Sequence, residues 1–308
     1  MTRYIGIDVA KLTLDIAIER RVTHIANSAS GMLRLTGLLK PGDVAVMEAT
    51  GGYERLCART LRAKGFAVAV VNPADVAHFR KGLGLQAKTD AIDAKALARF
   101  GEVRQPAIVE AAQHPELAEL VTRRSQLVGM RCAEKNRLEH ATNAPRESVL
   151  RHITLLQEEI QRVEAEIEKL VVADKELTRK RTLLLSAPGV GPTTALTLLA
   201  TMPELGKLSP RKIASLAGLA PHPRESGAWK GRRSIGRGRP AVRRSLFMAV
   251  LGGTRGDNAL RKQVIALKAA GKAPKQAIVA CARKLLVSLN AMLRDGVEYE
   301  ATRFGTPA

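Results

Sequence analysis

The chain has 308 residues and is strongly basic, with 50 Lys and Arg against 29 Asp and Glu, a formal charge of +21 and a pI near 10.5. This charge far exceeds what solubility requires, and it indicates a polyanionic partner. Runs of about 18 uninterrupted apolar residues, a signal-peptide pattern and zinc-site spacing of Cys or His are all absent from the sequence, so we expect a soluble, intracellular protein with no membrane partner.

The first 110 residues alternate strand and helix patterns and contain four acidic residues at the ends of predicted elements. Asp8 follows an apolar strand in YIGIDVAK, and Glu48 ends another in VAVMEATGG. Asp90 and Asp93 lie three apart on a helical stretch in KTDAIDAKALARF, which places both on one helix face. The order strand, hairpin, strand, helix, strand and acid-bearing helix predicts an RNase H-like α/β fold.

These four acids together predict a metal site. A single carboxylate at a strand end or in a first helical turn is usually solvated or a cap, so the prediction depends on the joint pattern. Carboxylates that converge repel one another and are costly to desolvate, so they need hard cations, typically Mg²⁺ and alternatively Mn²⁺. A carboxylate-bound Mg²⁺ site in a basic protein indicates phosphoryl transfer.

Two helices are predicted between about residues 112 and 175. The second helix carries apolar residues at alternating intervals of four and three, which is typical of a coiled-coil seam. The seam residues are Val149, Ile153, Leu156, Ile160, Val163, Ile167 and Leu170. The simplest arrangement is an antiparallel hairpin with the first helix, whose arginines would pair with the glutamates of the second. Such a coiled coil is also long enough to dimerise.

A glycine-rich basic loop follows in GLAPHPRESGAWKGRRSIGRGRPAVRRSLFMAVL. Its basic residues are Arg224, Lys230, Arg232, Arg233, Arg237, Arg239, Arg243 and Arg244. This density without aromatic interleaving suits contact with phosphates, and the glycines allow the backbone to approach a ligand closely. The preceding SAPGVGPTTALTLLA resembles the second half of a helix-hairpin-helix, but a tight turn without a ligand is the better interpretation of so short a segment.

Two serines, Ser226 and Ser234, lie in the basic loop. A serine hydroxyl beside several arginines can attack a phosphodiester, because guanidinium groups stabilise the alkoxide and the charge that develops on phosphorus. Most loop serines form turns or are solvated, however. The residues alone therefore neither establish a nucleophile nor choose between the two serines.

Several segments in succession resemble the signatures of the DEDD transposases, the recombinases of insertion-sequence family one-ten. They are GIDVAK, VMEATGGYE, VNPADVAHFRKGLGLQAKTDAIDAKALARF, MRCAEKNRLEHA, SAPGVGPTTALTLLA, APHPRESGAWKGRRSIGRGR and ACARKLLVSLNAMLRDG. The resemblance covers nearly the whole chain. It implies a RuvC-like (RNase H-like) domain at 1–110, a coiled-coil insertion at 111–178, a mainly α C-terminal transposase domain at 179–296 and a tail at 297–308.

The resemblance also implies roles for individual residues. Asp8, Glu48, Asp90 and Asp93 match the four acids of the family name and would bind Mg²⁺. Ser226, in RESG, matches the nucleophilic serine, which leaves Ser234 as a loop residue. Lys88 and the loop arginines are candidate phosphate clamps.

Some members of that family use a structured RNA, transcribed from the ends of the element, that pairs with both the element junction and the target. In those, acids from one subunit and the serine from another meet in a composite site. The resemblance therefore implies a homo-oligomer, a dimer or tetramer, that binds element ends, target DNA and a guide RNA in the cytoplasm at the prokaryotic nucleoid.

The predicted function is a transposase that excises and inserts its own insertion sequence by Mg²⁺-dependent strand cleavage through a serine–DNA covalent intermediate. A sugar-kinase or actin-like ATPase is the first alternative, but its phosphate loop carries Gly where this chain has Ala10. A structure-selective junction resolvase would share the four acids without needing Ser226. A non-catalytic nucleic-acid scaffold would bind through the basic loop alone.

Overall fold

The structure is a computed structural model, and it describes residues 2–19, 21–84, 89–106, 108, 114–221, 225–226, 229–230, 234–236 and 238–304. The structure does not describe the side chains of residues 222–230 and 303–304. The chain forms two compact units, Met1–Ala111 and Ala112–Ala308. The finer division of the second unit into a coiled-coil insertion and a C-terminal domain stays a prediction.

A five-stranded mixed sheet forms the centre of the first unit. Its strands are β1 (Tyr4–Val9), β2 (Thr13–Ile18), β3 (Arg21–Ala26), β4 (Val44–Glu48) and β5 (Ala67–Val71). They are arranged in the order β3-β2-β1-β4-β5. Strand β2 is antiparallel to its neighbours β1 and β3, and β4 is parallel to its neighbours β1 and β5. Arg3 and Asp43 hold the starts of β1 and β4 together by two hydrogen bonds of 2.8 and 2.6 Å. The predicted alternation of strands and helices is confirmed.

Four helices cover the two faces of this sheet. They are α1 (Ala29–Leu38), α2 (Glu54–Ala63), α3 (Pro73–Gly82) and α4 (Asp90–Arg104). Ile5 and Ile7 of β1 pack with α1 and α2, while Val46 of β4 packs with α3 and α4. Because successive residues of a strand point to opposite faces, the even-numbered residues of β1 and β4 face α4.

The second unit is almost entirely helical among its described residues. Its helices are α5 (Pro115–Leu138), α6 (Asn143–Ala173), α7 (Lys175–Leu185), α8 (Pro192–Thr201), α9 (Pro210–Leu216), α10 (Pro240–Gly253), α11 (Ala259–Ala269), α12 (Pro274–Asp295) and α13 (Ala301–Phe304). Two short strands, β6 (Glu225–Ser226) and β7 (Trp229–Lys230), form a hairpin between α9 and α10. Helices α7 to α12 enclose one hydrophobic core, with α12 at its centre.

Helices α5 and α6 form an antiparallel hairpin. Of the predicted seam, Leu156, Ile160, Val163 and Ile167 are buried, whereas Val149, Ile153 and Leu170 are half-buried. Arg124 of α5 pairs with Glu164 of α6 at 2.6 Å, so oppositely charged residues of the two arms contact each other as expected. Buried Glu134 lies 3.1 Å from the His152 ring and also pairs with Arg137.

Among the described residues, α12 alone is long and apolar enough to cross a membrane by length and composition. Half of its most apolar 18-residue window is buried inside the second unit, as expected of a core helix. It also contributes Cys281 to that core. Cys57 is buried in the first unit, whereas Cys132 is exposed on α5.

Candidate active site

The sheet places two of the four predicted acids side by side. Asp8 lies near the end of β1 and Glu48 ends β4, and these two parallel strands are neighbours in a register that pairs Ile7 with Met47. Both acids occupy even-numbered positions and therefore face α4. The carboxyl ends of adjacent strands thus present two half-buried carboxylates on the same face.

Helix α4 brings the other two acids to that face. It begins at Asp90, and the Thr89 hydroxyl accepts a hydrogen bond from the Ile92 amide, which is a typical N-cap. The helix backbone lies directly on β1 at Gly6, where a Cβ atom would be 1.9 Å from the Ala94 carbonyl oxygen. Only glycine permits this approach, which sets the first turn of α4 beside the ends of β1 and β4.

The pKa of Asp8 shows that the four acids share one electrostatic environment. Burial, followed by the charges of Asp93, Asp90, Glu48 and Asp15 in that order, raises the pKa of Asp8 to about 6. Each neighbouring carboxylate disfavours the ionised form of Asp8 because like charges repel in a partly desolvated site. Asp93, Asp90 and Glu48 therefore lie within electrostatic range of Asp8, and their role as a metal site stays a prediction.

Two side chains fix the loops that follow Asp8 and Glu48. The Asn27 amide donates hydrogen bonds to the carbonyl oxygens of Ala10 at 3.0 Å and Tyr53 at 3.2 Å, which ties the two loops to each other. Glu54 accepts hydrogen bonds from the amides of Thr50 and Gly52 and closes the turn of the EATGG segment. These hydrogen bonds of Asn27 and Glu54 therefore hold the turns next to the acidic site.

Asp93 forms an ion pair with Arg80 from the last turn of α3. The two side chains are only 15% and 17% exposed. In this arrangement no three Asp, Glu, His or Cys side chains among the described residues converge closely enough to hold a metal ion. The oxygen donors themselves suit Mg²⁺ or Mn²⁺, and their mutual repulsion at Asp8 favours a bound cation.

A fifth carboxylate, Asp15, lies beside the predicted set. It is directly opposite Asp8 in the β1–β2 register and is 8% exposed. Its two oxygens lie 3.1 and 3.2 Å from Nδ1 of His24, which is its register partner on β3. Sequence reasoning missed Asp15 and gave His24 no role, although the charged residue in the apolar TLDIAI, seven positions after Asp8 across a tight turn, could have identified it.

Ser226 belongs to the second unit and ends the two-residue strand β6, where it pairs with Trp229 across the hairpin. Ser234 is described eight residues later and is exposed. Lys230 lies on β7, and its side chain is outside the description. Further residues predicted to contact nucleic acid lie outside the described residues, namely Lys88, Arg224, Arg232, Arg233 and Arg237.

Arg239, a predicted phosphate clamp, forms an ion pair within the second unit. Its guanidinium donates two hydrogen bonds to Glu204, at 2.6 and 2.7 Å, and one to the Thr201 carbonyl at 2.8 Å. These contacts use three of the five N–H donors of the guanidinium, and its role toward nucleic acid stays a prediction. Arg243 and Arg244 lie in the first turn of α10, with Arg244 exposed and Arg243 half-buried.

Gly238 and Arg239, at the end of the basic loop, contact the last turn of α9 and the residues after it. Gly238 has a φ of +60°, and a Cβ atom there would lie 2.3 Å from the Gly218 amide nitrogen and 2.6 Å from the Leu216 carbonyl oxygen. The Arg239 amide donates a hydrogen bond of 3.1 Å to the same carbonyl. Gly238 and Arg239 are therefore fixed by a close backbone contact and a bidentate ion pair.

Two family models match this chain. One, described as "Transposase", matches residues 5–143, and the other, described as "Transposase IS116/IS110/IS902 family", matches residues 181–264. The first match covers the five-stranded sheet except for Tyr4, and it includes the four acids; it implies the RNase H-like fold that the sequence pattern predicts. Domains of this class use divalent metal ions.

The chain is also similar to named proteins. It is 30% identical to the pilin gene-inverting proteins of Moraxella lacunata and Moraxella bovis, over 96% of this chain and 97% of each relative. It is 34% identical to an uncharacterized insertion element IS110 protein of Streptomyces coelicolor, over 50% of this chain and 38% of that protein. The chain therefore belongs to the IS116/IS110/IS902 family of transposases and is an enzyme that acts on DNA in transposition or site-specific recombination.

Proposed function

We propose that this transposase cleaves and rejoins DNA with two sets of residues, the four acids of the first unit and Ser226 of the second. The observation that carries the proposal is the placement of Asp8 and Glu48 at the ends of two neighbouring strands under the first turn of α4; burial, together with the charges of Asp93, Asp90 and Glu48, raises the pKa of Asp8 to about 6. Such a cluster is unfavourable without a cation, and a basic chain has no structural need for it. Perturbed carboxylates of this kind are typical of functional sites.

The acids would position the scissile phosphate. Asp8, Glu48, Asp90 and Asp93 would hold Mg²⁺, which when bound polarises the phosphate oxygens and neutralises the charge that develops in the reaction. The rigid turns at Asn27 and Glu54 keep the strand-end carboxylates in place, which limits the reorganisation needed during catalysis.

Ser226 would be the nucleophile. Its hydroxyl loses a proton and attacks phosphorus, a Ser226 Oγ–P bond forms, and the bond from phosphorus to the leaving deoxyribose oxygen breaks as that oxygen takes up a proton. The hydroxyl of a second DNA end then attacks the phosphoserine and regenerates Ser226. The backbone pairing of the β6–β7 hairpin would hold the serine in position.

The partners follow from charge and family. We propose that the basic loop binds phosphates of the element ends and target, that a structured RNA from the element directs the choice of site, and that the active form is a homo-oligomer at the nucleoid. A chain that binds DNA and RNA duplexes together must neutralise many phosphates, which agrees with the charge of +21.

The names of two relatives favour a second outcome of the same chemistry. Both Moraxella proteins are pilin gene-inverting proteins and align over almost their full length. Cleavage and rejoining of two sites on one DNA molecule inverts the segment between them, whereas joining to a new target inserts the element. We propose insertion and excision as the main activity. A plasmid that carries two inverted copies of the element ends distinguishes this activity from inversion of the segment between the copies.

The nucleophile is tested by forming the covalent intermediate. We expect Ser226→Ala to bind DNA and any guide RNA normally but to form no protein–DNA adduct, because alanine has no attacking oxygen. A turn-forming serine would instead lose only about 1 kcal/mol of stability on replacement. The measurement is detection of protein joined to labelled element ends on a denaturing gel.

Ser234→Ala is the matched control for that experiment, because it removes the other hydroxyl of the same basic loop. It should retain substantial adduct formation and recombination. An adduct that survives Ser226→Ala, or that is lost only with Ser234→Ala, would place the chemistry on a different residue.

A further inference from the structure

Arg80 is a positively charged residue that contacts the acidic site through Asp93. It lies in the last turn of α3, a helix that Asn72 caps by accepting the Ala74 amide at 2.9 Å and that packs against α4 through Val76 and Phe79. Its guanidinium pairs with the Asp93 carboxylate, thirteen residues further along the chain. A positive group that contacts one of the four predicted metal ligands bears directly on how that site binds a cation.

The pair is too well shielded to be an ordinary surface salt bridge. Arg80 is 17% exposed and Asp93 is 15% exposed, whereas Arg99 and Glu102 of α4 form an exposed pair at 60% and 50%. Exposed pairs interact weakly, while loss of one partner from a shielded pair leaves an uncompensated charge. Arg80 therefore compensates the charge of Asp93 in a largely shielded position.

Arg80 and a divalent cation compete for the same oxygen atoms. The contact engages Oδ1 of Asp93, so a metal ion that used this oxygen would have to displace the guanidinium. The Arg80 guanidinium contacts the side chain of Asp93, which the sequence pattern groups with Asp8. Release of Asp93 from Arg80 would let Asp93 join Asp8, Glu48 and Asp90.

A released guanidinium would have a natural second partner. Its planar fork of N–H donors matches two oxygens of a phosphodiester as well as it matches a carboxylate. The substrate of the proposed reaction brings such a group to the acids. The same side chain would then stabilise the negative charge that develops on phosphorus.

We propose that Arg80 exchanges partners during catalysis: it neutralises Asp93 before the metal ion binds, and it binds the scissile phosphate afterwards. This inference rests on the proposed function in one respect, namely that the acids hold a divalent cation. Arg80 thereby prevents the acids from remaining uncompensated in the free enzyme and makes metal binding and substrate binding mutually supportive.

The test measures metal affinity and strand cleavage separately. Mn²⁺ binding to the full chain is measured by calorimetry for the wild type and for Arg80→Gln. We expect Arg80→Gln to bind Mn²⁺ at least about fivefold more tightly, because a competing positive charge is removed from the site. Cleavage of labelled element ends should fall by about a hundredfold, because a donor to the phosphate is lost.

These opposite changes distinguish the proposal from a structural role. If the pair only joined α3 to α4, Arg80→Gln would lower thermal stability and would leave metal affinity unchanged or weaker, which overturns the inference. Arg99→Gln is the matched control, since it removes the same charge from an exposed pair on α4, and its metal affinity and cleavage rate should equal those of the wild type.

Arg80→Lys keeps the test decisive if Arg80→Gln does not fold. Lysine retains the charge without the planar fork. Metal affinity within about twofold of the wild type, with cleavage reduced at least tenfold, would support the exchange, and wild-type cleavage would overturn it. Failure of the wild type itself to bind Mn²⁺ would instead overturn both this inference and the proposed metal site.

Discussion

The charges around Asp8 explain why the acidic site is costly for the folded protein. Asp8 is half-buried on a sheet face with three predicted acids, and Asp15 adds a fifth carboxylate opposite it. Four of these residues could be identified from the sequence because each lies near the end of an apolar strand or in the first turn of a helix. Arg80 and Arg239 were not assigned to their partners because Asp93 and Glu204 lie thirteen and thirty-five positions away and the contacts depend on packing.

Removal of one carboxylate from the acidic site should change stability and activity in opposite directions. We expect Asp8→Asn to abolish recombination and, with EDTA at pH 8, to raise the free energy of unfolding by about 1 kcal/mol, because it relieves repulsion in a partly screened site. Asp75→Asn on α3 provides a control away from the cluster of acids around Asp8. Chemical denaturation and a plasmid recombination assay measure the two effects. Recombination by Asp8→Asn at the wild-type rate would contradict the assignment.

The Glu204–Arg239 pair predicts a pH dependence of stability in the second unit. Burial tends to raise the pKa of Glu204, but the hydrogen bonds and charge of Arg239 outweigh it and hold the pKa below its usual range. A lowered folded pKa contributes stability that is complete above the unfolded value, about 4.3, and is lost as the pH falls toward the folded pKa. We expect Glu204→Gln to be less stable than the wild type at pH 7.

The difference between the two proteins should shrink as the pH falls below about 4, because Glu204 becomes protonated in the wild type. Urea denaturation at a series of pH values measures it. Glu300→Gln, a change of the same chemistry near the C-terminus, should leave the profile unchanged. If the difference in the free energy of unfolding between Glu204→Gln and the wild type did not change with pH, the charge of Glu204 would not contribute to the stability of the contact.

At the scale of elements, the contact between β1 and α4 assembles the acidic site. Apolar strands, the helical hairpin and the helix that carries Asp90 could be predicted from periodicity. The approach of α4 to β1 could not, because it depends on Gly6 meeting the backbone of Ala94 and Ala98 and on Gly101 meeting the Tyr4 ring. Close packing of this kind is invisible to hydrophobic patterning, which records only which residues are apolar.

We expect Gly6→Ala to push α4 away from the sheet. The new methyl group would lie 1.9 Å from the Ala94 carbonyl oxygen and 2.4 Å from the Ala98 amide nitrogen, so backbone must move. Overpacking of this kind costs about 2–3 kcal/mol. Thermal unfolding measures the loss, and Gly37→Ala on α1, where a Cβ atom meets nothing within 4 Å, is the control. A neutral Gly6→Ala would mean that the two elements are not in close contact.

At the scale of the whole molecule, positive charge is concentrated in one part of the chain. Residues 179–308 carry 24 Lys and Arg against six Asp and Glu, whereas residues 112–178 carry ten against twelve. The nearly balanced charges of the hairpin are in part paired between its arms, as with Arg124 and Glu164. Phosphate binding should therefore depend far more on the C-terminal part than on the hairpin.

The salt dependence of nucleic-acid affinity tests this distribution. We expect affinity to fall steeply with salt, and replacement of Arg232 and Arg233 by glutamine should reduce the log–log slope by about 2, because each phosphate contact releases about one counterion. Replacement of Arg123 and Arg124 in the hairpin should change the slope little. Equal slopes for the wild type and the loop variant would identify the loop as a solvated surface.

The different environments of the three thiols have a practical consequence. Burial raises the pKa of Cys57 to about 12 and that of Cys281 to about 11, so neither forms a reactive thiolate near neutral pH. Cys132 is exposed on α5. A maleimide probe should therefore label the native chain at one position without any engineering. A fluorophore or spin label on the hairpin would report directly whether the surroundings of α5 change as DNA is added.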